Sequence, residues 1–152
     1  MKGKKMPLLH IENLTKSYKG KKALDAVTLD FTVGVNALLG ANGSGKSTMM
    51  NIISTALSPT GGAVYYDGRE ICSLGTEYRK VMSVLFQHQP YFPSVTVNDY
   101  MLYNAALKGM SGKDRQAVID NSLKRLNVLD CKAKKLKELS GGLRQRVFIA
   151  QT

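Results

Sequence analysis

Gly40-Ala41-Asn42-Gly43-Ser44-Gly45-Lys46-Ser47-Thr48 is a glycine, four residues, and then Gly-Lys-Ser, the spacing of a phosphate loop. Each residue type has a physical task. Glycines at 40, 43 and 45 let the backbone curl so that successive N–H groups turn inward toward phosphate oxygens. Asn42 and Ser44 fill the turn between them. Lys46 brings a compact positive charge to the β- and γ-phosphates, and the Ser47 hydroxyl, beside Thr48, can ligate Mg²⁺. The neighbouring sequence agrees with this reading. Val35-Asn36-Ala37-Leu38-Leu39 is a mostly apolar run of the kind buried in a parallel sheet, so it predicts a strand entering the loop. Met49, Ile52, Ile53, Ala56 and Leu57 recur at helical spacing and predict a helix leaving it, stopped by Pro59. A helix opening at Lys46 adds the positive end of its dipole to the anion site.

Outward from the loop, three alternating segments predict a small antiparallel sheet. Leu9 and Ile11 alternate with polar neighbours, as do Val27, Leu29 and Phe31. Ala63-Val64-Tyr65-Tyr66 is closed by the turn residues Asp67-Gly68, and Lys19–Lys22 is a turn between the first two segments. Val81–Phe86 reads as a further apolar strand. From Thr96 the period is helical. Thr96 caps a helix carrying Val97, Tyr100, Met101, Asn104 and Leu107 and ending at Gly109. Ser111 with Asp114 is a capping box for a second helix carrying Val118, Ile119, Ser122, Leu123 and Leu126. The lysine-rich stretch 132–137 leads to a last element at Ser140. Two lobes of one α/β unit are expected, residues 1–95 and 96–152.

The 152 residues fit one domain, and a hydrophobic content of 43% can bury a core. No apolar run reaches the ~18 residues of a membrane span. The basic start through Pro7 has no apolar stretch behind it and is not expected to be a secretory signal. Cys72 and Cys131 have no metal-spaced partners and read as reduced thiols. His10 and His88 read as structural or solvated, and the seven methionines as core filling. The formal charge of +11 could serve nucleic acid or an anionic membrane surface. The basic residues are scattered, however, and lack the interleaved aromatics of a base-stacking surface, so a solvated basic face is expected and a nucleic-acid partner is not.

Leu139-Ser140-Gly141-Gly142-Leu143-Arg144-Gln145-Arg146 resembles the signature of ABC ATPases, and its pairing with an upstream phosphate loop is specific. Gln87 lies where that family places its Q-loop glutamine. Gln89 is a nearby competitor, but the offset of Gln87 to Pro93 and to Thr96-Val97 favours it. Tyr18 lies where the family carries an adenine-stacking aromatic. The resemblance runs from Leu8 to Thr152. It implies a P-loop NTPase core of ABC type with a small antiparallel β subdomain and a helical subdomain, binding ATP and Mg²⁺. Gln87 and Ser47 would be the Mg²⁺ ligands, and Lys46 and Gln87 would act catalytically. Two such domains would close head to tail, so that Ser140 and Gly142 touch the γ-phosphate held by the partner domain. Ser140 is a good N-cap and the glycines leave amides open at a helix start, so a second anion site there is physically sensible.

The resemblance further implies a permease partner and a place on the cytoplasmic face of the membrane. Leu143 departs from the glutamine that many members carry. With the wording around the loop, it leans toward exporter-type subunits. After Arg146 the chain offers neither an aliphatic strand ending in Asp-Glu nor a later histidine, so the C-terminal core strands are expected to be missing. Residues 1–152 alone are then expected to be hydrolytically inactive and poorly stable. Two other readings stay open: a soluble ABC-type ATPase acting on DNA or ribosomes, and an ATP-binding fragment that never hydrolyses.

Overall fold

Strand β1, Leu9–Tyr18, is the spine of the sheet. It pairs antiparallel with β2, Lys21–Phe31, on one side and with β3, Gly61–Tyr66, on the other. The computed structural model describes residues 8–86, 89–112 and 114–152. The three-stranded antiparallel sheet read from the alternation is therefore present, but the turn is only Lys19-Gly20: Lys21 and Lys22, read as turn residues, are already paired with Tyr18 and Ser17 as the start of β2. A short fourth strand follows β3 after the Asp67-Gly68 turn, giving the order β2-β1-β3-β4 with β4 at Arg69–Glu70.

The alternation in β1 is interrupted, and the interruption builds the core. Ile11 and Leu14 are both fully buried although three residues apart, because a register shift lies between them and Asn13 takes φ 46°. One extra residue returns Leu14 to the face that Ile11 occupies. Across this irregularity lies Gly62 at φ 74°, packed so closely on the Asn13 carbonyl that a β-carbon has no room.

Helix α1, Lys46–Ile53, buries Met49 and Ile52. With α2, Ile71–Leu74, and α3, Thr76–Val81, it completes a first core of Ile11, Leu14, Leu24, Val64, Ile71 and Tyr78. The helix ends earlier than Pro59. Thr55 adopts φ 59°, and Leu57 N–H bonds to Asn51 O at 3.1 Å, so Ala56 and Leu57 belong to the turn that follows. A β-branched residue in the left-handed region cannot propagate a helix.

Two expected strands are absent. Val35–Leu39 has no sheet partner among the described residues, with Val35 and Leu39 at 104% and 89% exposure. Val81 closes α3 and residues 82–86 form no strand. An apolar run can signal a strand that wants burial on both faces, but a strand exists only where neighbours supply its ladder. The four paired strands do not extend to either run.

A second compact unit comprises residues 84–152. The helical unit thus takes in residues 84–95, which the sequence pattern groups with the first lobe. Helix α4, Val97–Leu107, is capped as expected: the Thr96 hydroxyl accepts from Asp99 N–H at 3.1 Å and donates to the Asp99 carboxylate at 2.7 Å. Its stripe is Val97, Tyr100, Met101 and Ala105, while Leu107 is exposed. Helix α5, Arg115–Arg125, starts from Asp114 with no side-chain cap, so the expected Ser111 box is not its cap. Ile119 and Leu123 are buried and Val118 is exposed.

The lysine-rich connection is a strap across the start of α4. Val97 N–H bonds to Lys134 O at 2.9 Å, and Leu136 N–H to Val95 O at 3.0 Å. These bonds satisfy backbone groups that a free loop would leave to water. Helix α6, Gly141–Ala150, adds Val147 and Phe148 to a core that also holds Val128, Leu136 and Leu139. Cys131 is buried and Cys72 exposed, both free. His10 Nδ1 lies 2.6 Å from Asp30 Oδ1 across the β1–β2 pair, a structural role, and His88 lies outside the described residues.

Candidate nucleotide-binding site

The phosphate-loop residues form a largely exposed turn that runs into the first residue of α1. Gly45 is the N-cap at φ 89°, a left-handed conformation suited to glycine, and it supplies no side-chain cap. The first helical bond runs from Met49 N–H to Gly45 O at 2.9 Å. The amides of Lys46, Ser47 and Thr48 therefore point out of the helix end without intrahelical acceptors, the arrangement that attracts an anion.

The loop is shaped by contacts that leave little latitude. A β-carbon on Gly45 would strike the Ala23 carbonyl and approach Leu24 Cδ2 at 2.8 Å. Strand β2 thus buttresses the loop where it joins the helix. A β-carbon on Gly40 would come within 2.8 Å of Ser44 Oγ. Gly43, at φ 83°, has open space around it. Asn42 and Ser47 are exposed on the same turn, with Thr48 half-buried.

Lys46 lies across the mouth of the loop. Its ammonium donates to Gly40 O and Ala41 O, each at 2.7 Å, and reaches Ser44 Oγ at 3.3 Å. Three protons meet three loop oxygens, which holds the charge beside the open amides. The open amides are the free donors here; the Lys46 ammonium adds charge beside them and must release a loop oxygen before it can donate to an anion. A magnesium ion, when bound, would neutralise phosphate charge, and the exposed Ser47 is a residue whose hydroxyl could ligate it.

Tyr18 is 47% exposed at the end of β1 and pairs with Lys21. Two residues along β2 from Lys21 is Ala23, whose carbonyl backs Gly45. One strand therefore links the Tyr18 end of the sheet to the phosphate loop.

The signature residues occupy the N-terminus of α6 in the second unit. Ser140 Oγ accepts from Leu143 N–H at 3.3 Å, so Ser140 is the N-cap that its residue type predicts. Gly141 and Gly142 are exposed, and a β-carbon on either would meet nothing within 4 Å, which leaves their amides open to approach. Leu143, in place of a polar residue, packs on the helical core. Arg144 folds back over the Tyr91 ring at 4.9 Å and makes long contacts of 3.5 Å with Leu136 O and Leu139 O. Sequence reasoning missed this lock, since neither residue carries a motif that pairs them. Gln87 lies outside the described residues. Its competitor Gln89 has a buried Oε1 without a hydrogen-bond partner among the described residues, in a pocket with Tyr91, Phe92 and Tyr103.

An open phosphate cradle at a helix start, behind a small antiparallel sheet and joined in sequence to a helical unit, defines a P-loop nucleotide-binding domain. Residues 24–152 match the family described as ABC transporter. The chain is 33% identical over 147 residues to the putrescine transport ATP-binding protein PotG of Escherichia coli strain K12, covering 96% of this chain and 39% of that protein. Among solved structures it is similar to cbiO1 of Clostridium perfringens, part of the ABC transporter complex cbiONQ, with TM-score 0.83, 28% identity, and 97% and 61% of the two chains covered. It is also similar to MJ1267, an ATP-binding cassette of an ABC transporter, with TM-score 0.84, 27% identity, and 96% and 64% covered. The chain belongs to the ABC transporter family, as an ATP-binding domain. It spans less than two thirds of the length of these relatives.

Proposed function

We propose that this chain binds Mg-ATP at Gly40–Thr48 and that the protein uses ATP to drive a substrate across a membrane through a partner permease. The observation that carries the reading is the cradle itself: free amides at the start of α1 with the Lys46 ammonium held at the loop mouth. Tyr18 stacks on the adenine. Ser47 and Gln87 hold the metal, and Gln87 and Lys46 serve the phosphoryl transfer. Ser140 and Gly142 act in trans on the nucleotide of a second ABC domain, and the open amides at the start of α6 support that role. Such a protein works on the inner face of the membrane. The direction of transport is export, supported by the apolar Leu143 packed against the helical core and by the wording of the loop.

Hydrolysis needs an acidic pair to order metal and water. Asp99, Asp114, Asp120 and Asp130 do not supply it, since they sit at helix starts or within α5 rather than after an aliphatic strand. Residues 1–152 alone therefore bind ATP without turning it over. The basic charge of +11 supports a second reading, an ABC-type ATPase acting on DNA or ribosomes.

The deciding measurement is Mg-ATP affinity of the folded chain by titration calorimetry. Lys46→Ala should weaken binding about 10- to 100-fold, the worth of charge-assisted hydrogen bonds. Equal affinities would remove the loop from the site. In the full-length protein, Ser140→Arg should leave ATP binding by the monomer intact and abolish ATP-driven dimerisation. Lost monomer binding contradicts the trans role. Salt-sensitive DNA binding by the wild type, with no response to a permease, favours the second reading.

A further inference from the structure

Lys16 precedes Tyr18 by two residues on β1, and its ammonium does not project freely into water. It donates to Ser58 O at 2.7 Å and lies over the Tyr18 ring, 5.4 Å from the centroid. Ser58 belongs to the turn that follows α1, the helix whose other end is the phosphate loop. The same turn grips β1 through its backbone: Thr60 N–H donates to Thr15 O at 2.9 Å, and Ser17 N–H to Thr60 Oγ1 at 3.2 Å. The position of Lys16 is thus referred to the element that carries the phosphates.

We propose that Lys16 is the positioning residue for the Tyr18 ring, covering one face with its anchored ammonium and leaving the opposite face to stack on a purine base. The proposal rests on the reading of Tyr18 as the adenine platform. A tyrosine at a strand end has two free torsions, and a half-exposed ring spends much of its time turned away from any base. A cation fixed over one face by a carbonyl removes part of that freedom, and the cation–π attraction favours the orientation in which the ring lies flat beneath it. The neighbouring basic residue Lys22 is engaged differently, with Asp25 at 2.7 Å, and does not compete for the ring.

The test separates base stacking from simple charge. The full chain is titrated in Mg²⁺ with ATP and with inorganic tripolyphosphate, which has the phosphates but no base. The ratio of the two affinities reads the base-dependent part of binding. Lys16→Met should lower this ratio about two- to fivefold, the range of an exposed cation–π contact. Lys16→Arg, which keeps a cation able to stack and to donate, should restore it. In a Tyr18→Ala background, Lys16→Met should change the ratio no further. Equal losses for both ligands, or the same drop with and without Tyr18, overturn the proposal by showing that Lys16 acts only as charge or on the fold. A Tyr18→Ala loss with no Lys16→Met loss overturns this inference alone. A Tyr18→Ala variant with an unchanged ratio overturns the stacking reading and Lys16 with it.

Discussion

Gly45 shows how a single residue is held by both its conformation and its surroundings. It must bend left-handed at φ 89° to end the loop and start α1, and the β2 backbone fills the space where a side chain would begin. Gly43 has a similar φ of 83° but open space. The contrast makes a prediction. Gly43→Ala should cost only the backbone strain of a positive φ, about 1 kcal/mol. Gly45→Ala should cost more, because β2 or α1 must also move, and it should weaken ATP binding with it. Urea unfolding and nucleotide titration of the two variants check this, and equal costs would show that β2 does not brace the loop. Lys46 is the other residue whose role comes from its setting. Its ammonium is shared among three loop oxygens, so its position at the loop is set by the loop's own carbonyls and hydroxyl.

At the scale of elements, the strap at 132–137 and helix α5 illustrate how charge is spent locally. Lys132 reaches Asp120 at 2.6 Å, and Gln116 donates to the same carboxylate oxygen at 2.9 Å. The hydrogen bond from Lys132, then that from Gln116, holds the Asp120 carboxyl below its ordinary value. A depressed carboxylate means that the unfolded chain binds the proton more readily than the folded one. Stability from this pair is therefore present above the unfolded carboxylate range and lost as pH falls through the folded value. The pair is only partly buried, so the effect is small and salt-sensitive. Asp120→Asn should lower the urea midpoint slightly at neutral pH, and the two proteins should converge in acid. A difference that persists in acid would mean that Asp120 acts by packing instead.

At the scale of the molecule, the two units have separate apolar cores, one around Ile11, Leu14 and Ile52 and one around Val97, Leu123 and Val147. Leu123→Ala removes a fully buried side chain from the second. It should cost about 2–5 kcal/mol and speed hydrogen exchange in α4, α5 and α6. Mg-ATP affinity at the phosphate loop should stay unchanged, because the loop is built on the first core. A parallel loss of ATP affinity would show that the loop depends on the helical unit for its shape.

The loop at Gly40–Thr48, the three antiparallel strands, the Thr96 and Ser140 caps, and the family were legible in the residues alone. These depend on local chemistry: left-handed glycines, period-two alternation, and hydroxyls that bond an amide three residues ahead. Tertiary structure alone decided the rest. Val35–Leu39 and Val81–Phe86 have strand-like composition but no ladder among the described residues, since pairing requires a neighbour that composition cannot name. The β1 bulge, the strap of lysines on α4, the stacking of Arg144 on Tyr91 and the anchoring of Lys16 over Tyr18 join residues with no shared pattern. Such contacts are set by where the backbone brings side chains together, and periodicity carries information only about one element at a time.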